Sequence, residues 1–223
     1  MIFPVRRWTS VLALLLCACG SSEPPAASIL SVSPARFSTS ECVQLSVELD
    51  GALPVKLDYG EDSAELAGLA QLGVGERELP VEAVENRGRR LLTHLYAGLP
   101  VGTHDVRVTL EDGKQLVLPD AIEVTGALLL DSFQFESIEP QLRETPFPIT
   151  LRATGPDAQR FQGRVLLRSN KGKLEPEWSN NFQQGVLTQE VSIDLTGGNV
   201  LIEMVDCQGR SVNSNEFRLD PKP

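Results

Sequence analysis

Short runs in which apolar and polar residues alternate recur along most of the chain. ILSVSP (Ile29–Pro34), CVQLSVEL (Cys42–Leu49) and VKLDY (Val55–Tyr59) are the first of them. A period near two places successive side chains on opposite faces, the pattern of a half-buried strand. Arg90–Ala97, Asp105–Leu110, Gln115–Leu118 and Ala121–Thr125 continue it, and EDGK (Glu111–Lys114) supplies a hairpin turn with Asp-Gly where positive φ is wanted. A second series follows at Leu128–Phe135, Phe147–Ala153, Phe161–Ser169, Gly185–Ile193, Asn199–Asp206 and Ser211–Leu219. Turns are expected at Ser169–Gly172, Thr196–Gly198 and Cys207–Arg210. Residues 60–80 are Ala/Gly-rich and admit either a helical turn or a weak strand. No sustained helical period competes, so the chain reads as all-β, with two sandwich domains over residues 29–125 and 128–220.

The first 28 residues have a different character. Arg6 and Arg7 precede the apolar run VLALLL (Val11–Leu16), which is far shorter than the roughly 20 residues needed to span a bilayer. This is a secretory leader. Leu16-Cys17-Ala18-Cys19 resembles the bacterial lipobox, with Leu three residues before a Cys and a small residue just before it. Cys19 alone satisfies that spacing. The resemblance implies cleavage after Ala18 (residues 1–18 removed) and acylation of Cys19, which would then anchor the chain to a membrane. Gly20 follows it, where Asp would be the usual inner-membrane signal in Gram-negative lipoproteins, so the outer membrane is the expected address. GSSEPPAAS (residues 20–28) has nothing to bury and completes a tether over residues 19–28.

Loss of the leader removes two of the 20 basic residues and none of the 30 acidic ones, which moves the net charge from −10 to −12. Such a chain has no broad basic surface with which to neutralise phosphates, which argues against nucleic acid as a partner. Cys42 and Cys207 are the remaining thiols, and an exported chain meets an oxidising compartment.

The first sandwich resembles the IPT/TIG family of immunoglobulin-like domains. The matching runs are Ile29–Pro34, Val43–Val47, Val55–Gly60 and LPVGTHDV (Leu99–Val106). Asp50–Leu53 departs from the family's Gly-x-aromatic, and residues 61–80 are longer than usual. The second sandwich is similar to bacterial Ig-like domains in Phe147–Ala153, in FQGRV (Phe161–Val165) and in VDCQG (Val205–Gly209). These resemblances imply two tandem immunoglobulin-like β-sandwiches used for adhesion, spacing or ligand presentation, with no catalysis. In such sandwiches Cys42 and Cys207 would both face the junction near Gly126-Ala127. An interdomain disulfide is then expected, with two separate half-buried thiols as the alternative.

No nucleophile elbow, zincin, Walker or dinucleotide motif is present in the sequence. His94 alternates within a strand, and His104 stands where the family pattern has an aromatic; both read as structural. Asp58, Glu61 and Asp62 could supply oxygen ligands to Ca²⁺ but read better as a solvated loop. Arg87, Arg89 and Arg90 form the basic cluster. Trp178 and Phe182, beside Asn180, Asn181, Gln183 and Gln184, offer a stacking face with amide neighbours, the chemistry of a glycan site. The sequence therefore points to a non-enzymatic envelope lipoprotein with a protein partner and no cofactor or metal. A carbohydrate-binding accessory that uses Trp178 and Phe182 is the alternative.

Overall fold

A computed structural model describes residues 26, 28–58, 63–66, 68 and 70–222. The expected leader and Cys19 lie outside the described residues, as does the tether apart from residues 26 and 28. Two separate apolar cores organise the rest. The first gathers buried residues from Ala26 to Val124 and the second from Leu128 to Leu219.

The first domain contains β1 (Ile29–Ser33), β2 (Arg36–Ser38), β3 (Val43–Leu49), β4 (Val55–Asp58), β5 (Ser63–Leu66) and β6 (Gln71–Val74). It continues with β7 (Arg77–Pro80), β8 (Ala83–Glu85), β9 (Arg90–Leu95), β10 (Gly102–Thr109) and β11 (Gln115–Thr125). One sheet has the order β1-β3-β9-β8 and the other β2-β11-β10-β6-β7. β1 runs antiparallel to β3, whereas β2 lies parallel to β11. The chain thus changes sheets within its first ten strand residues, at Pro34-Ala35. Val43, Leu45 and Val47 of β3 are fully buried, while Gln44, Ser46 and Glu48 stay partly accessible, so the alternation in the sequence became the inward face of a sheet.

The second domain contains β12 (Ser132–Phe135), β13 (Gln141–Leu142), β14 (Phe147–Thr154), β15 (Leu166–Ser169) and β16 (Leu174–Glu175). It closes with β17 (Val186–Ile193), β18 (Gly197–Val200), β19 (Ile202–Val205), β20 (Ser211–Asn213) and β21 (Phe217–Asp220). One sheet is β12-β14-β17-β16; facing it are β13-β21-β18 and β15-β19-β20. β13 runs parallel to β21, as β2 does to β11. The two domains therefore share one sandwich topology, that of tandem immunoglobulin-like domains.

Three expectations are corrected. Val55–Tyr59 does not supply a sandwich strand: β4 pairs with β5 as a separate hairpin. The sandwich strand beside β10 is β6, from the Ala/Gly-rich stretch, where Leu72 and Val74 are fully buried. Gln115–Leu118 and Ala121–Thr125 form the single strand β11, which bends at Asp120. That residue has a φ of 50°, and its N–H donates to Asp105 Oδ1 at 2.9 Å. Phe161–Val165 is not a strand, because the backbone donors of Gln162, Gly163 and Arg164 go to the other domain, as described next.

Candidate functional site

The residues with unusual chemistry converge on the seam between the sandwiches. Cys42, just before β3, and Cys207, in the turn after β19, form a disulfide with Cα atoms 5.9 Å apart and a sequence separation of 165. The antiparallel order makes the pairing geometrically possible. β3 starts at the pole where β11 ends, and β19 ends at the pole where the second domain begins.

Glu41, adjacent to Cys42, is only 2% exposed. Its Oε2 accepts the Ser38 N–H at 2.5 Å, while Oε1 accepts the N–H groups of Gln162 at 2.6 Å and Gly163 at 2.9 Å from the second domain. The next donor, Arg164 N–H, bonds the Cys42 carbonyl at 2.6 Å. Three successive backbone donors that the sequence assigned to a strand ladder thus serve as the interdomain joint. Gly163 is required by close approach: a Cβ there would lie 2.8 Å from the Phe161 ring and 3.3 Å from the Cys42 carbonyl. Burial raises the Glu41 pKa above its usual 4.5, outweighing the three N–H donors and the Arg160 charge, which lower it. A cleft of about 400 Å³ adjoins Glu41, lined by Arg36, Ser38, Thr125, Gln159 and Arg160 among others.

A second joint lies along β3. Gln44 turns its N–H and C=O away from β9, toward the side that β1 vacates when the chain changes sheets. Asn181 of the second domain fills that place, with Oδ1 accepting from Gln44 N–H and Nδ2 donating to Gln44 C=O, both at 2.9 Å. Gln208 Nε2 donates to the Ser40 carbonyl at 3.2 Å.

The third joint is aromatic and cationic. Arg164 is 8% exposed; its Nε donates to the Ser179 carbonyl at 2.7 Å and its Nη1 meets His94 Nδ1 at 3.3 Å. Its guanidinium lies 5.6 Å from the centre of the Trp178 ring, a cation–π contact. The His94 ring stacks on Tyr96 with centroids 4.3 Å apart and meets Trp178 edge-on at 4.5 Å. Since Arg164 donates to Nδ1, the neutral imidazole carries its proton on Nε2, and that buried atom has no partner among the described residues.

Burial first, and the Arg164 charge second, lower the His94 pKa from 6.5 to about 4. A depressed histidine stabilises the fold fully above the unfolded value and loses that contribution as pH falls from 6.5 toward 4. Discounting for solvent at the seam, the loss is about 2 kcal/mol. His94→Gln keeps an acceptor for Arg164 and cannot titrate. Melting temperatures measured from pH 7 down to 4 are expected to fall less steeply in the variant than in the parent protein; parallel curves would refute the assignment.

The structure separates Trp178 from Phe182. Phe182 is fully buried in the second core, its ring 4.9 Å from Phe161 and 5.8 Å from Phe133, so it offers no face to a sugar. The apolar ring was worth more inside the sandwich than beside its amide neighbours. Trp178 is half-buried at the seam. His104 is half-buried on β10, with Nε2 donating to the Pro100 carbonyl at 2.8 Å. Of the basic cluster, Arg90 pairs with Glu48 and Glu85, and Arg87 is exposed with a φ of 55°. Glu61 and Asp62 lie outside the described residues, and Asp58 closes β4. Among the described residues no group of three or more His, Cys, Asp or Glu is placed to hold a metal, and no helix is long and apolar enough to cross a membrane. Glu41, Arg164 and Tyr96 were missed in the sequence, and Asn181 was read as an amide neighbour of a glycan site, because each derives its role from a partner in the other domain, between 70 and 137 residues away for the hydrogen-bonded pairs of Arg164 and Asn181.

No protein-family model matches the chain, and neither does any curated protein. Among solved structures it is similar to the Yersinia pseudotuberculosis adhesin InvE, at 13% identity over 85% of this chain and 58% of that one, with a TM-score of 0.34. The D0-D1 domain of intimin is similar at 9% identity over 86% and 99% of the two chains, with a TM-score of 0.33. Tandem Ig repeats of Dlar give 11% identity over 88% and 99%, with a TM-score of 0.35. The chain spans less than two thirds of the InvE length.

Proposed function

We propose that the chain is a non-enzymatic lipoprotein of the cell envelope. Acylated Cys19 anchors it, residues 19–28 form a tether, and the two immunoglobulin-like domains present one coupled surface to an envelope protein. IPT/TIG-like character of the first domain belongs to this reading, as does placement in a Gram-negative outer membrane. The observation that carries it is the Cys42–Cys207 disulfide. A bond of this kind forms and persists in an oxidising compartment, which agrees with an exported chain, and it holds the interdomain angle fixed. A spacer or presenting module needs that fixed angle; a hydrolase would need a constellation of catalytic groups instead.

The test is mass spectrometry of the protein isolated from its own envelope, with cells fed an alkyne-bearing fatty acid. The expected product starts at Cys19 and carries the label, and Cys19→Ala carries none. An unlabelled chain that still begins at Met1 would overturn the reading.

A further inference from the structure

We infer that the pole of the first domain opposite the seam is a membrane-contact surface, seated on phospholipid headgroups, so that the seam and the second domain stand away from the lipid. The inference rests on the reading of Cys19 as the acylated anchor and names the face which that anchor holds against the bilayer.

The end of the tether is fastened to that pole. Ala26 is 4% exposed, and its N–H donates to the Ala52 carbonyl at 3.3 Å. The Ser28 N–H and hydroxyl donate to the two carboxylate oxygens of Asp50 at 2.9 and 2.8 Å, and the Asp50 N–H donates to the Ser28 carbonyl at 3.2 Å. The register puts these contacts at the far end of the domain. Ile29 of β1 pairs with Leu49, the last residue of β3, whereas β3 begins next to the disulfide. The length of β3, roughly 23 Å, separates the pole from the seam.

Chain length then limits the orientation. Between Cys19 and Ala26 lie residues 20–25, and fully extended this stretch reaches about 25 Å. To lay the seam on the lipid, nearly all of that reach would have to run back along the first domain. A tether held straight in that way loses most of its conformational freedom. With the pole on the bilayer, the same residues need not be stretched.

The surface is made by turns. Asn86–Gly88 lies beside residues 49–53, since the Leu53 N–H donates to the Gly88 carbonyl at 2.9 Å and the Leu49 N–H to the Arg89 carbonyl at 2.8 Å. The turn at 110–114, between β10 and β11, closes the same end of the other sheet. Glu48 and Glu85 pair with Arg90 here, and Asp50 holds Ser28. Arg87 and Lys114 are exposed, and so are Glu111 and Asp112. A face that presents both signs fits headgroups that carry a phosphate and an amine, because the guanidinium and ammonium groups suit the phosphate and the carboxylates suit the amine. A purely anionic lipid surface would meet repulsion from Glu111 and Asp112, in a chain with 30 acidic residues against 20 basic.

Cleavage of the leader removes Trp8, so Trp178 is the single tryptophan of the mature chain and reports from the seam. Gln115→Trp and, separately, Pro54→Trp, each combined with Trp178→Phe, move the reporter to the pole; both positions are exposed. The acylated protein is reconstituted from detergent into vesicles of equal parts phosphatidylethanolamine and phosphatidylcholine with a trace of dansyl-labelled lipid, and energy transfer from tryptophan is measured. Transfer falls with the sixth power of distance, so over a displacement of roughly 23 Å each pole reporter should exceed Trp178 in efficiency by at least about fivefold. Equal transfer from pole and seam would mean that both domains lie along the bilayer, and stronger transfer from Trp178 would mean an inverted stance; either overturns the inference. So would background transfer from both pole reporters in chains that float with the vesicles. Flotation is read on the same samples. A parent chain that stays in solution, as Cys19→Ala is expected to do, has no anchor, which overturns the reading of Cys19 and the inference with it, whereas a wrong stance leaves flotation intact.

Discussion

Replacing both Cys42 and Cys207 by alanine is expected to lower the unfolding free energy by about 4 kcal/mol. The bond closes a loop spanning 165 residues, nearly the whole described chain, so its removal frees most of the denatured ensemble. For a protein of this size the change corresponds to a fall in melting temperature of roughly 10 °C. Alanine is the appropriate replacement because Cys42 is 2% exposed and a serine hydroxyl there would need a partner. The shape of the transition is a second readout. Each domain has its own core, so with the bond present they should unfold together and without it in two steps. Denaturation in guanidinium, followed by circular dichroism and by Trp178 fluorescence, measures both. A loss below about 1 kcal/mol with a single unchanged transition would show that the disulfide does not couple the domains.

Glu41→Ala should cost about 3 kcal/mol, although no core residue is touched. Three N–H groups, those of Ser38, Gln162 and Gly163, would lose one shared acceptor, and two of them belong to the other domain. An unsatisfied buried donor costs about 1–3 kcal/mol, and water entering from the adjoining cleft would recover part of it. Glu41→Gln tests the mechanism. Its Oε1 can still accept from Gln162 and Gly163, but its amide would face the Ser38 N–H donor to donor, so roughly half the loss should remain. Chemical denaturation at neutral pH measures both variants. Equal stability of the parent and Glu41→Ala would remove Glu41 from the joint. The pH dependence has the opposite sign to that of His94. Because burial raises the folded-state pKa of Glu41, its contribution is fully present below the unfolded value and declines as pH rises through the folded one. Acidification therefore weakens the seam through His94 while favouring the buried Glu41 carboxyl.

A sugar site was sought at Trp178 and Phe182 because an aromatic pair four residues apart beside amides fits that chemistry locally. Phe182 went to the core, and the ring that joins Trp178 at the surface is Tyr96, 82 positions earlier in the sequence. Linear proximity was the wrong guide, since adjacency at a seam is set by two folded surfaces. The same reason hides Glu41, whose neighbours in the sequence give no sign that its carboxylate will meet Gln162 and Gly163.

The residue pattern alone determined the all-β class, the two-domain division and most strand positions. These depend on alternation over a few residues, and the hydrophobic effect reads that alternation directly. Only the tertiary structure decided that β6 replaces Val55–Tyr59 in the sandwich. It also decided that Phe161–Val165 gives up its ladder to bind the first domain, and that Tyr96, His94, Arg164 and Trp178 meet. Those choices depend on which backbone donors remain unpaired once both sheets have formed, a quantity that no local stretch of sequence contains.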